Sequence, residues 1–125
     1  VRAIAIFALL PLLLPSMTVR AADQAPLISA LHQELRPGLS LDAAQSVLKR
    51  HGATSSTRSA AECLKLVEAS RVPTQLAPRG GPCVFGKVLG PRNWYGGHTD
   101  VILQLVFNAD NKLEDASFEA IDALF

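Results

Sequence analysis

Residues 100–107, DVILQLVF, decide the fold. Val101, Leu103, Leu105 and Phe107 fall on one side of an extended chain and Ile102, Gln104 and Val106 on the other. That alternation predicts a strand whose first set faces a core. Residues 108–112 (NADNK) are turn chemistry, and residues 113–120 return as a second strand with Ala116 and Phe118 inward. Leu113 is out of phase with those two, which predicts a bulge beside the turn. Just upstream, residues 83–89 (CVFGKVL) are rich enough in β formers for a third strand. Residues 90–98, with Pro91 and the pair Gly96 and Gly97, form the broad hairpin loop between.

Helical signals precede the strands. Pro26 suits a helix N1 position, and Leu27, Ile28, Leu31 and Leu35 share one helical face. Pro37 and Gly38 end that element. Ser40 is an N-cap, Asp42 complements the dipole of the first turn, and Leu41, Ala44, Val47 and Leu48 make an apolar stripe. Lys49, Arg50 and His51 fall in the last turn, with Gly52 as the C′ residue. Residues 53–58 are polar and are read as a connection. Ser59 and Glu62 have capping-box spacing, which predicts a short helix over residues 60–70. Residues 72–82, with Pro73 and Pro78 inside, are loop. The expected fold is therefore α+β in two layers, with two or three helices packed on a three-stranded antiparallel sheet.

The beginning of the chain carries an address. Arg2 precedes the apolar run of residues 3–15, and Val19, Arg20 and Ala21 resemble a signal-peptidase site before Ala22. This reads as a cleavable secretory signal peptide over residues 1–21, with an uncleaved anchor as the rival reading. Pro11 and Pro15 interrupt a stretch already short for a bilayer, so no stable membrane anchor is expected after cleavage. Removing 21 of 125 residues leaves 104, over residues 22–125, enough for one small domain. Its location would be periplasmic or secreted. In an oxidising compartment Cys63 and Cys83 are most simply a disulfide, worth about 3 kcal/mol from loop closure. Two free thiols are the alternative.

Residues 38–44 (GLSLDAA), leading to Val47, Leu48 and Gly52, resemble the opening motif of small envelope proteins. These are the SmpA/OmlA (BamE-like) lipoproteins and the related β-lactamase-inhibitor-protein-like domains. Residues 103–108 (LQLVFN), followed by Lys112 and Leu113, are similar to the hairpin of the same group. The resemblance runs over residues 37–118 and implies a non-catalytic habit of binding or scaffolding other envelope proteins. Two departures stand against it. The acylated cysteine of those lipoproteins is Ala22 here, and residues 53–81 are longer than a minimal member needs.

Charge is laid out unevenly along the chain. Residues 49–92 are predominantly basic, with only Glu62 and Glu68 opposing. From residue 93 onward Lys112 stands alone against Asp100, Asp110, Glu114, Asp115, Glu119 and Asp122. Such halves can attract each other, although charges scattered over a solvated surface are the simpler reading. The basic half holds only Phe85 as an aromatic, so a nucleic-acid face is not expected.

Converging catalytic groups are not evident. His32, His51 and His98 lie in unrelated contexts, and His51 suits a helix C-terminus. His98 and Asp100 could begin a metal site, but no third ligand follows at a recognised spacing. Thr54, Ser55, Ser56 and Thr57 offer hydroxyls without an oriented base. The glycine pairs lack a phosphate-loop context, and the acidic residues after 113 lack calcium-loop spacing. No cofactor is expected. One cluster suits contact: Arg92, Asn93, Trp94 and Tyr95 hold the only Trp and only Tyr of the chain, in a loop. The alternative is that Trp94 or Tyr95 folds back to cap the core. The expected function is an exported, non-enzymatic protein-binding, inhibitor-like or envelope-scaffold module whose partner is another envelope or extracellular protein. The alternative is a small-ligand or metal-binding periplasmic protein using the loop around Trp94, His98 and Asp100.

Overall fold

The computed structural model describes residues 24–69, 76–92, 94 and 96–123. The expected signal peptide, residues 1–21, lies outside them. Helix α1 (Ala25–Glu34) carries Pro26 as its second residue and buries Leu31, with Leu35 buried just after it. Helix α2 (Leu41–Arg50) is capped by Ser40, whose Oγ accepts from the Ala43 N–H at 3.2 Å. It buries Ala44, Val47 and Leu48. Gly52 follows with φ of 74°, a left-handed conformation natural to glycine after a helix. The two helices are also joined by charge: Glu34 accepts from Arg50 at 2.8 Å and pairs with the His51 ring at 2.6 Å. The hydrogen bond from His51 is the main reason the Glu34 carboxyl lies below the usual glutamate range. Burial opposes it, and Arg50 adds to the lowering.

The sheet has four antiparallel strands, in sequence order: β1 (Thr54–Arg58), β2 (Gly80–Val88), β3 (His98–Asn108) and β4 (Leu113–Ala123). This corrects the three-stranded expectation, because residues 54–58 are an edge strand rather than a connection. Its pattern is invisible to an apolar-alternation test, since all five residues are exposed. The positions turned toward the helices are Ser55 and Thr57. Ser55 faces Gly86 of β2, and Thr57 accepts a hydrogen bond from Gln45 of α2 at 2.9 Å. Polar groups satisfied by a neighbouring helix leave no hydrophobic signature.

Register divides the sheet into two faces. Val84, Val101, Leu103, Leu105, Phe107 and Leu113 pack with the buried residues of α1 and α2 in one core, and Ala116 and Phe118 pack against it. The expected bulge is present: pairing shifts between Val106–Asp115 and Phe107–Leu113, which brings Leu113 back to the core face. The turn before it is held by the Asn108 side chain, which accepts from the Asp110 and Lys112 N–H groups. Leu113 then exchanges backbone bonds with Gly38 and Leu39, so the link between α1 and α2 is sewn to this hairpin.

Helix α3 (Ala60–Ala69) lies on the opposite face, a departure from a simple two-layer packing. Ser59 and Glu62 form the reciprocal capping box, with the Ser59 N–H donating to Glu62 and the Glu62 N–H to Ser59 Oγ. Cys63, buried on α3, is disulfide-bonded to Cys83 of β2. Cys83 pairs with Val106, on the face away from Val84 and the main core. Arg79 bridges from the basic half of the chain to Glu114 at 3.4 Å and Asp115 at 3.8 Å on β4. The attraction between the two halves is therefore real at this point. No helix among the described residues is long and apolar enough to cross a membrane.

Candidate functional site

Among the described residues, the sheet face away from α1 and α2 is covered only in part. At one end the Cys63–Cys83 bridge holds α3 over it, and the Leu76 N–H donates to Gln104 Oε1 at 3.0 Å, laying residue 76 across β3. Toward the other end, Phe85, Lys87, Ile102 and Ile121 occupy the same face by register. Phe85 is half-buried, while Ile102 and Ile121 are exposed. A shallow depression of about 380 Å³ lies there, with Thr54, Ser56, Phe85, Lys87 and Ile102 among its walls. Leu89, directly after β2, is 64% exposed. The open end of the sheet thus exposes apolar residues beside Lys87 and Glu119, more than the pattern expected of a solvated face.

The loop between β2 and β3 rises from this end. An antiparallel bridge between Arg92 and His98 closes its base. Trp94 on the loop is 96% exposed and does not cap the core. That removes the fold-back alternative for this residue. Asn93 and Tyr95, the other two members of the expected contact cluster, lie outside the described residues.

Beneath the loop sits a polar anchor. The His98 ring nitrogen Nδ1 lies 2.8 Å from Asp100 Oδ1, and the same oxygen accepts from the Gly90 N–H at 3.0 Å. Both side chains are largely buried. Burial pushes the Asp100 carboxyl upward, but the Gly90 N–H, the His98 ring and the charge of Lys87 outweigh it, so its pKa is lowered. The pair therefore ties the two ends of the loop, Gly90 and His98, to one carboxylate. Thr99 reinforces it from the other face: its hydroxyl donates to Asp122 at 2.5 Å, and its carbonyl accepts from Gln24 at 2.7 Å.

Sequence reasoning found the His98–Asp100 pair by its spacing and missed its third member, the Gly90 N–H. A backbone donor has no sequence signature, although a glycine flanking the loop was a usable hint. A Cβ at Gly90 would run into the Thr99 carbonyl and the Gln24 amide, so the close approach requires glycine. Leu89 and Ile121 were also missed as surface residues, because exposure at the end of a strand is set by what fails to cover it. Among the described residues no group of three His, Cys, Asp or Glu side chains is placed to hold a metal ion.

No protein family, no curated protein and no solved structure matches this chain.

Proposed function

We propose that this chain is an exported, non-catalytic protein-binding module, of inhibitor or envelope-scaffold character, that engages its partner with the Trp94 loop and the open end of the sheet. The observation that carries this reading is the exposure of Trp94 on a loop whose base is held by bonds to Asp100. Binding hot spots favour tryptophan and arginine presented on rigid supports, because little conformational entropy is lost when the partner closes over them. Arg92 at the base of the loop and the apolar residues Leu89, Ile102 and Ile121 extend the surface. The internal disulfide is compatible with an extracellular or periplasmic location, where such bonds persist.

The test is site-specific photo-crosslinking from position 94 in the native envelope, followed by identification of the adduct and its reconstitution with purified protein. Trp94→Ala should keep the melting temperature and lose the complex. If the reconstituted complex forms equally well with Trp94→Ala, the reading fails. The pairing of His98 with Asp100 beside this loop favours one second reading, a small-ligand or metal site. Stoichiometric metal in the purified protein, lost in His98→Ala, would select it.

A further inference from the structure

The groove between α1 and the free edge of β4 is a second surface, distinct from the Trp94 loop. We infer that it accepts an extended, alternately apolar and basic segment of another protein as a fifth strand of the sheet. Three observations carry this. First, β4 is an edge strand of 11 residues, and no strand among the described residues pairs with its outer side. The start of that edge is taken, since Leu113 is bonded to Gly38 and Leu39 and the Ala116 N–H donates to the Asp115 carboxylate. Beyond Ala116 its outward N–H and C=O groups are a template for a further strand. Secondly, α1 does not close over that edge. It leaves an open groove of about 810 Å³ whose walls include Ile28, His32 and Arg36 from the helix and Phe118, Glu119 and Ala120 from the strand. The His32 ring meets Phe118 edge-on at 4.6 Å, which fixes the floor of the groove. A helix flanking an open strand edge is the geometry in which an added strand gains backbone bonds on one side and side-chain pockets on the other.

Thirdly, the charges choose the occupant. Register puts Phe118 and Ala120 on the α1 side of β4 and Asp115, Ser117, Glu119 and Ile121 on the other. A strand added here alternates in step: its inward residues meet Ile28 and Phe118 and are apolar, and its outward ones lie beside Glu119 and are basic. Arg79 of this same chain already pairs with Glu114 and Asp115, showing the pull that the acidic strand exerts on a cation. A second copy is disfavoured in three of its registers. Antiparallel self-pairing that keeps both α1 helices on one side sets Glu114 against Asp122 when centred on Phe118. Centring on Ser117 sets Asp115 against Glu119, and centring on Glu119 sets that residue against itself. These three registers oppose like charges, whereas those centred on Ala116 or Ala120 do not, so self-pairing there is the competing outcome of the titration.

The experiment titrates the 15N-labelled full chain with an acetylated heptapeptide alternating valine and lysine. Two controls accompany it, one alternating valine and glutamate and one with the lysines of the first grouped together. The expected result is amide shifts and slowed exchange over residues 116–121, with shifts at Ile28 and His32, for the alternating lysine peptide alone. Glu119→Lys, at an exposed position, should weaken that binding about fivefold and transfer preference to the glutamate peptide. Equal binding of the grouped control overturns the inference, as do shifts confined to the Trp94 indole, which would leave the reading of that loop standing. Concentration-dependent self-association that shifts the same β4 amides without peptide overturns the choice of occupant.

Discussion

Replacing both half-cystines, as Cys63→Ser with Cys83→Ser, tests how this small domain holds its second face. The bridge closes a chain separation of 20 residues. On the chain-entropy account that loop restricts the unfolded state by about 3.3 kcal/mol at 25 °C. For a domain of this size such a loss lowers the melting temperature by roughly 15–25 °C. The structure adds a local consequence. Helix α3 has 10 residues, shorter than a helix that stands alone in water. Leu64 and Leu66 on it are exposed, so its attachment rests on the buried Cys63 and the half-buried Val67. Without the bridge α3 should therefore open on its own, before the sheet. Hydrogen exchange reads this directly: α3 amides should lose nearly all protection in the double variant, while β3 and β4 amides lose only what the fall in global stability dictates. Thermal unfolding of oxidised and double-variant proteins gives the global figure. A destabilisation below about 1 kcal/mol, with α3 amides protected as before, would refute both the entropic account and the anchoring role.

Three further outcomes follow from named contacts. Ser40→Ala removes the acceptor of the Ala43 N–H and should cost about 1 kcal/mol in denaturant unfolding, with an unchanged m-value. Glu34 is held below its ordinary pKa chiefly by His51, with burial opposing and Arg50 assisting. Its stabilising contribution is thus complete above the unfolded glutamate value and disappears as pH falls through the lower folded value. Glu34→Gln should consequently flatten the acid limb of the stability profile and leave the salt dependence at neutral pH weaker. Gly90→Ala forces a methyl group toward the Thr99 carbonyl and should cost roughly 1–3 kcal/mol, displacing the N–H that Asp100 accepts. NMR of the His98 ring would report the displacement, and an unchanged ring signal would show that the loop base does not depend on Gly90.

What could be read in the sequence follows from where each signal is stored. The strand at residues 100–107, the Ser40 cap, the capping box of Ser59 and Glu62 and the bulge at Leu113 were all legible, because each is encoded by neighbours in the chain. Strand β1 was not, because Thr54–Arg58 carries no buried residue and is positioned by Gly86 and Gln45, which lie far away in sequence. Placing α3 on the second face was equally beyond reach. The pair Cys63 and Cys83 announces a bridge, yet the side of the sheet is set by the register of Cys83 against Val106.

The candidate site divides along the same line, and the division bears on function. Trp94 was expected as a contact candidate from its type and its loop, and the structure shows it exposed. The polar anchor at the base of the loop was half-legible, as His98 and Asp100 without Gly90. The apolar ground beside it was only partly legible: the alternation of residues 100–107 turned Ile102 away from the core, but nothing in the local sequence announced that Ile121 would share that face and stay exposed. A domain of this size could have shielded those residues by shifting α3 along the face, at the expense of the Cys63–Cys83 bridge. Instead the bridge fixes the helix at one end and leaves the other end open, next to a projecting tryptophan. If the open end is a binding surface, releasing α3 should alter it: in the double cysteine variant the freed helix can compete for the exposed isoleucines. Partner affinity should then fall in that variant although Trp94 is untouched, and unchanged affinity would mean that the exposed end of the sheet takes no part in binding.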